Sequence, residues 1–117
     1  MKKGMVWALL LVGTFAGAAS FKCSIAKGYA ETQICGNPRL SHMDDVLADN
    51  YQMMQAPQIG KEAVADLRKT QKQWLKQRNR CTTQACLIDS YLKRIDEVCN
   101  YPAVEGVHPP CSSSQGL

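Results

Sequence analysis

Apolar residues recur at helical intervals along much of the chain, with polar residues between them. Leu40, Met43, Leu47, Tyr51 and Met54 are spaced by three, four, four and three positions, so they share one stripe of a helix. Asn37 offers an N-cap, and Pro38 sits at the first helical position, where its missing N–H costs nothing. This helix is expected to run to about Gln55 and to end in Ala56-Pro57-Gln58-Ile59-Gly60. Asp44 and Asp45 lie towards its N-terminal end, where the helix dipole favours negative charge.

A second helix is predicted from near Lys61 to about Asn79. Leu67, Gln71, Trp74 and Arg78 recur at four, three and four, Glu62 and Asp66 come early, and Arg78 and Arg80 come late, in agreement with the dipole. After a turn bounded by Cys81 and Cys86, Thr82 or Thr83 caps a third helix carrying Leu87, Ile88, Tyr91, Leu92, Ile95 and Val98. This hairpin is expected to organise the chain. Residues 23–35 read as a compact lead-in with about one helical turn at Ala30 to Ile34, and beyond Cys99 the residues Pro102, Gly106, Pro109 and Pro110 forbid a helix. The expected architecture is all-α: a small antiparallel three-helix bundle, with an N-terminal cap and a C-terminal tail braced by disulfides.

The first twenty residues stand apart from this pattern. Lys2 and Lys3 precede an apolar run from Met5 to Phe15 and the small residues Ala16-Gly17-Ala18-Ala19-Ser20, the layout of a cleaved secretory signal. Cleavage after Ser20 would leave one domain at 21–117, with an irregular tail at 100–117, and no stable membrane insertion. A lipid anchor would need a cysteine directly after the small residues, and Phe21-Lys22 intervenes before Cys23. The expected location is therefore periplasmic or secreted. Removing Lys2 and Lys3 lowers the formal charge from +4 to +2, too small an excess to argue for nucleic acid.

All six cysteines, Cys23, Cys35, Cys81, Cys86, Cys99 and Cys111, follow the signal, and an even count in a small exported chain implies a disulfide framework. Six cysteines permit about fifteen pairings; proximity along the chain favours Cys23 with Cys35, Cys81 with Cys86, and Cys99 with Cys111. Loops of these lengths would each contribute roughly 2–3 kcal/mol. Neither a metal cluster nor a redox-active pair is expected, since no Cys-x-x-Cys occurs.

Gln71 and Arg78 share the stripe of Leu67 and Trp74 and should point at least partly inward, where Asp44 or Asp89 could supply an acceptor. Such a cluster is either a structural polar network or a ligand-binding carboxylate and base. Arg68, Lys72, Lys76 and Arg80, with Lys69 beside them, form a basic ridge at every fourth residue. That ridge is either a solvated face or a docking surface for an acidic partner or anionic wall polymer. The tail around Tyr101 and His108 is either a proline-stiffened loop suited to a partner's cleft, with Tyr and Val exposed, or a packed terminal staple. His42 and His108 belong to no nucleophile motif, and no carboxylate pair stands out, so neither an enzyme nor a cofactor is expected.

Phe21-x-Cys23, Ala26, Glu31, Ile34-Cys35, Pro38, Leu40, Asp44, Leu47-Ala48 and Tyr51, then Leu67-Arg68, Gln71, Trp74-Leu75, Arg78, Cys81, Cys86, Tyr91 and Arg94, together resemble the lysozyme inhibitor LprI-like domain of exported bacterial proteins. The resemblance covers most of the chain beyond the signal. It implies a small helical disulfide-bonded protein and, for some members, inhibition of lysozyme. Asp44, Tyr51, Gln71, Trp74, Arg78 and Tyr91 are carried over as scaffold, and Arg68, Lys72, Lys76, Arg80, Tyr101 and His108 are the candidate partner-binding residues. The expected function is binding and inhibiting lysozyme or another cell-wall hydrolase by steric occlusion. The alternatives are a periplasmic immunity protein against a delivered toxin and an envelope protein that binds wall polymer.

Overall fold

Asn37 ends one helix and starts the next. Its N–H donates to the Gln33 carbonyl, while its Oδ1 accepts from the N–H groups of Arg39 at 2.9 Å and Leu40 at 3.2 Å. In the computed structural model, which describes residues 20–102 and 108–117, the segments on either side are α1 (Gly28–Gly36) and α2 (Pro38–Met54). A 3-10 turn at Pro57–Ile59 leads to Gly60, whose φ of 96° is one that L side chains rarely adopt. There the chain turns into α3 (Lys61–Arg78). Thr83 caps α4 (Gln84–Cys99), its Oγ1 accepting from Cys86 N at 3.1 Å. Residues 1–19 of the expected signal and 103–107 of the tail lie outside the described residues.

The described residues are all helical in their regular elements, with no strand, but four helices replace the expected three. The lead-in read as a cap with one turn is a nine-residue helix, preceded by a 3-10 turn at Cys23–Ile25. Its Ala30 and Ile34 are buried four residues apart, too few apolar positions to register as a stripe. They still join the core formed by Leu40, Met43 and Leu47 of α2, Leu67 of α3, and Leu87, Tyr91, Ile95 and Val98 of α4.

The hairpin of α3 and α4 is not where backbones pack most closely. That place belongs to α2 and α4. The large side chains of Trp74, Arg78, Tyr91 and Arg94 stand between α3 and α4, so these two helices meet through side chains rather than by close backbone approach.

Disulfides join Cys23 to Cys35, Cys81 to Cys86, and Cys99 to Cys111, each linking neighbours along the chain with Cα atoms 5.4–5.8 Å apart. The last ties the tail to the end of α4, and polar contacts hold the residues beyond Cys111. Buried Asn50 of α2 accepts from Ser112 N at 2.9 Å and donates to Ser112 O at 2.7 Å and Ile95 O at 3.3 Å. Asp96 accepts from Ser114 N and Oγ at 2.8 and 2.6 Å. Asn50 thus performs for the tail what a strand partner would do in a sheet. Asn50→Ala should cost about 1–3 kcal/mol, because it removes three hydrogen bonds, one of them to the buried Ile95 carbonyl and two to the tail backbone at Ser112. Urea denaturation should show that loss together with faster proteolysis of the segment after Cys99.

Candidate functional site

Two polar clusters are built into the helix interfaces. The first centres on Tyr91, whose hydroxyl donates to Asp44 Oδ1 at 2.7 Å and accepts from Arg78 Nη1 at 3.2 Å. Asp44 and Arg78 are each 3 % exposed, and Tyr91 is fully buried. Arg78 Nε and Nη2 donate to Asn79 Oδ1 at 3.1 and 2.9 Å, and Glu31 of α1 approaches Nη2 to 3.7 Å. The rings of Trp74 and Phe21 flank the guanidinium, with centroids 5.8 and 5.7 Å from its carbon. Trp74 meets Tyr91 edge to face at 5.0 Å and donates from Nε1 to the Ser90 carbonyl at 3.3 Å. Side chains from all four helices therefore meet around one arginine.

Asp44 takes a different part from the one its position predicts. It lies beyond the first turn of α2, where the dipole effect has faded, and serves as a buried acceptor for α4. Asp89, the other acceptor considered for Arg78, is exposed and pairs with Lys93 at 3.3 Å. The carboxylate beside Arg78 comes instead from Glu31, which no local periodicity marks as inward-facing.

The second cluster surrounds Arg94, which is 4 % exposed. Its Nε donates to Gln71 Oε1 at 3.0 Å, Nη2 to Thr70 Oγ1 at 3.1 Å, and Nη1 to Glu97 at 3.3 Å. Gln71 is therefore joined to Arg94, and Arg78 belongs to the other cluster. Sequence periodicity contained a signal for Arg94: Leu87, Tyr91, Arg94 and Val98 repeat the four, three, four spacing of Leu67, Gln71, Trp74 and Arg78. Beside this cluster a groove of about 810 Å³ is lined by Gln73, Trp74, Gln77, Lys93, Asn100 and Pro102, among others.

Arg68, Lys69, Lys72, Lys76 and Arg80 are exposed, with Arg68 donating to Gln55 Oε1 at 2.9 Å. Leu75 lies exposed among them. Tyr51 is half-buried against the core, and His42 and His108 are exposed. Tyr101 departs from the exposed position expected in a cleft-inserting tail: it is 9 % exposed, and its hydroxyl donates to Asp66 and lies 3.3 Å from Thr70 Oγ1. Its ring has apolar surface to bury and α3 supplies the acceptor, so this end of the tail packs as a staple. Among the described residues, no group of three His, Cys, Asp or Glu side chains is placed to hold a metal ion, and no helix is long and apolar enough to cross a membrane.

Among the described residues, four helices, three local disulfides and polar clusters sealed inside the helix interfaces define a small disulfide-braced helical protein of the exported type. The model of the lysozyme inhibitor LprI family matches residues 23–98, and the chain belongs to that family. The match contains α1 to α3 and nearly all of α4, and stops just short of the Cys99–Cys111 staple. No curated protein and no solved structure matches the chain. The family is one of inhibitors rather than of enzymes.

The Tyr91 cluster generates a pH prediction. Burial, and after it the neighbouring Asp44 charge, push the Tyr91 hydroxyl well above the ordinary tyrosine range, against a smaller opposing effect of Arg78. A tyrosine hydroxyl in an unfolded chain ionises near ~10, so the folded protein holds this proton more tightly. The stability that results is fully present below about pH 10 and is lost as pH rises beyond it. Tyr101, raised by partial burial and then by its hydrogen bond to Asp66, adds to the loss in that range. Tyr91→Phe should cost about 1–3 kcal/mol at neutral pH by stranding Asp44 and Arg78. It should also flatten the alkaline fall in stability, followed through the fluorescence of Trp74 during urea unfolding.

Proposed function

We propose that this protein is exported and inhibits lysozyme or another cell-wall hydrolase by occluding its substrate cleft. The observation that carries the reading is its membership of the lysozyme inhibitor LprI family over residues 23–98. The disulfides support export to an oxidising compartment, the periplasm or the exterior. The occluding face in this reading is the exposed edge of α3. Lys72 and Lys76 lie one turn apart there, with Leu75 between them to give apolar contact. Glycoside hydrolases work through a pair of carboxylates at the scissile bond, so their clefts carry negative charge to which such an edge is complementary. The two arginine clusters lie beneath this face and hold α3 in place.

The same basic ridge favours a second reading, in which the protein coats anionic wall polymer and shields it from hydrolysis. The two differ in what the protein touches. Inhibition measured on a small soluble oligosaccharide, with no wall polymer present, should persist if the enzyme itself is bound and vanish if the polymer is shielded.

The purified oxidised protein should inhibit one or more members of a panel of lysozymes in a dose-dependent way, and reduction of its disulfides should abolish the effect. Joint replacement Lys72→Glu and Lys76→Glu should weaken inhibition by about tenfold or more, as expected for interface charges meeting opposite charges. Helicity and thermal unfolding should remain those of the unmodified protein. Inhibition unaffected by this double reversal would remove α3 as the docking face, and no inhibition across the panel would remove lysozyme as the target.

A further inference from the structure

The two carboxylate oxygens of Asp44 have separate partners. Oδ1 accepts from the Tyr91 hydroxyl, and Oδ2 accepts from the backbone nitrogen of Ser20 at 2.5 Å. Neither partner bears a charge within an uncleaved chain. Among the described residues, the ion pairs are Arg78 with Glu31, Lys93 with Asp89, and Arg94 with Glu97, and Asp44 is in none of them. Arg78 meets it only through Tyr91. A carboxylate 3 % exposed is thus held without a cation of its own, an arrangement that is costly unless one is supplied. The segment bearing Ser20 is anchored, because the next residue, Phe21, packs on the core and lies beneath the Arg78 guanidinium.

Upstream of this point the small residues offer signal peptidase three cleavage positions. Ala16 and Ala18, Gly17 and Ala19, or Ala18 and Ser20 would each place small side chains one and three residues before the cut. The pattern alone does not choose between them; Asp44 does. We propose that export cleaves the chain between Ala19 and Ser20, one residue before the position expected from the sequence, and that the released α-ammonium of Ser20 becomes the ion-pair partner of Asp44. Hydrolysis consumes one water: Ala19 leaves as a carboxylate at the end of the removed peptide, and the Ser20 nitrogen is protonated to an ammonium where it already touches Oδ2. Cleavage one residue later would remove this donor. Cleavage one residue earlier would leave an uncharged amide there and set the ammonium about 3.8 Å further along the chain.

The pair is surrounded by groups from every helix: Asp45 beside it on α2, the Tyr91 hydroxyl from α4, Arg78 from α3, and Glu31 of α1 on the far side of Arg78. An α-amino group titrates near ~8 in an unfolded chain, and pairing with a carboxylate raises that value in the folded one. The stabilisation is therefore complete below about pH 8 and is lost as pH rises through the raised folded value. The inference rests on export and is independent of whether the partner is lysozyme.

The test begins with the full chain exported from a bacterial host, whose product is weighed intact. The expected mass is that of Ser20 to Leu117; a product starting at Ala19 or Phe21, or an uncleaved chain, overturns the proposal. The same product is then acylated with an amine-reactive ester near pH 7, and modification of the N-terminal peptide is followed by mass. Ser20 is exposed as a residue while its contact with Asp44 is partly buried, so the protection that reports the proton held by Asp44 is the part lost when that carboxylate is neutralised. A rise of one pKa unit should slow the reaction about tenfold in the folded protein relative to the urea-unfolded one. Asp44→Asn should remove most of that protection. Equal rates in the folded and unfolded wild-type protein overturn the ion pair without need of the variant.

Discussion

Everything in this fold that is polar and buried must be answered within a chain too small to hide it deeply, and the hydroxyl of Tyr91 answers for two buried charges at once, Asp44 and Arg78. It joins Asp44 of α2 to Arg78 of α3 while sitting on α4, and Arg78 extends the connection to Glu31 of α1. An arginine in an apolar interface is tolerable only with its donors engaged, and here Tyr91, Asn79 and Glu31 engage them while Trp74 and Phe21 cover its faces. Because each helix contributes one member, sliding any helix by a residue would break the set. The cluster therefore fixes register as well as stability, which apolar contacts among leucines and isoleucines do with less precision.

The disulfides act on a different scale. Each closes a short stretch: Cys23–Cys35 closes the lead-in with α1, Cys81–Cys86 the turn into α4, and Cys99–Cys111 the tail. None bridges two distant helices. The long-range order of the protein thus comes from its core and polar clusters, while the disulfides reduce the freedom of the connecting segments in the unfolded chain. This division leaves α3 joined to α4 through large side chains, with a groove beside Arg94 and a basic outer edge open to solvent. A rigid helix whose exposed side is charged and whose buried side is locked by two arginines is a suitable platform for a binding face, since little order has to be gained on docking.

Helices α2, α3 and α4 were legible because their apolar residues recur at intervals of three and four and because Asn37, Pro38 and the threonines after Cys81 mark their starts. Helix α1 was not, since a nine-residue helix that buries only Ala30 and Ile34 shows almost no stripe. Gln71 and Arg78 were legible as inward-facing polar residues from their place among Leu67 and Trp74. Their partners were not. Glu31 lies nearly fifty positions from Arg78, and Arg94 reaches Gln71 from the opposing helix, contacts that no local spacing encodes.

By itself the sequence determined the helical class, the starts of three helices, the disulfide chemistry and the basic ridge, because each is set by spacing or residue type within a few turns of chain. Only the tertiary structure decided that α2 rather than α3 packs closest on α4, that Tyr101 turns inward to Asp66, and that Ser20 reaches Asp44. Those outcomes depend on which side chains remain unsatisfied once the helices have assembled. A buried carboxylate or guanidinium takes its partner from whatever element comes within hydrogen-bond reach, and that distance is set by packing rather than by position in the chain.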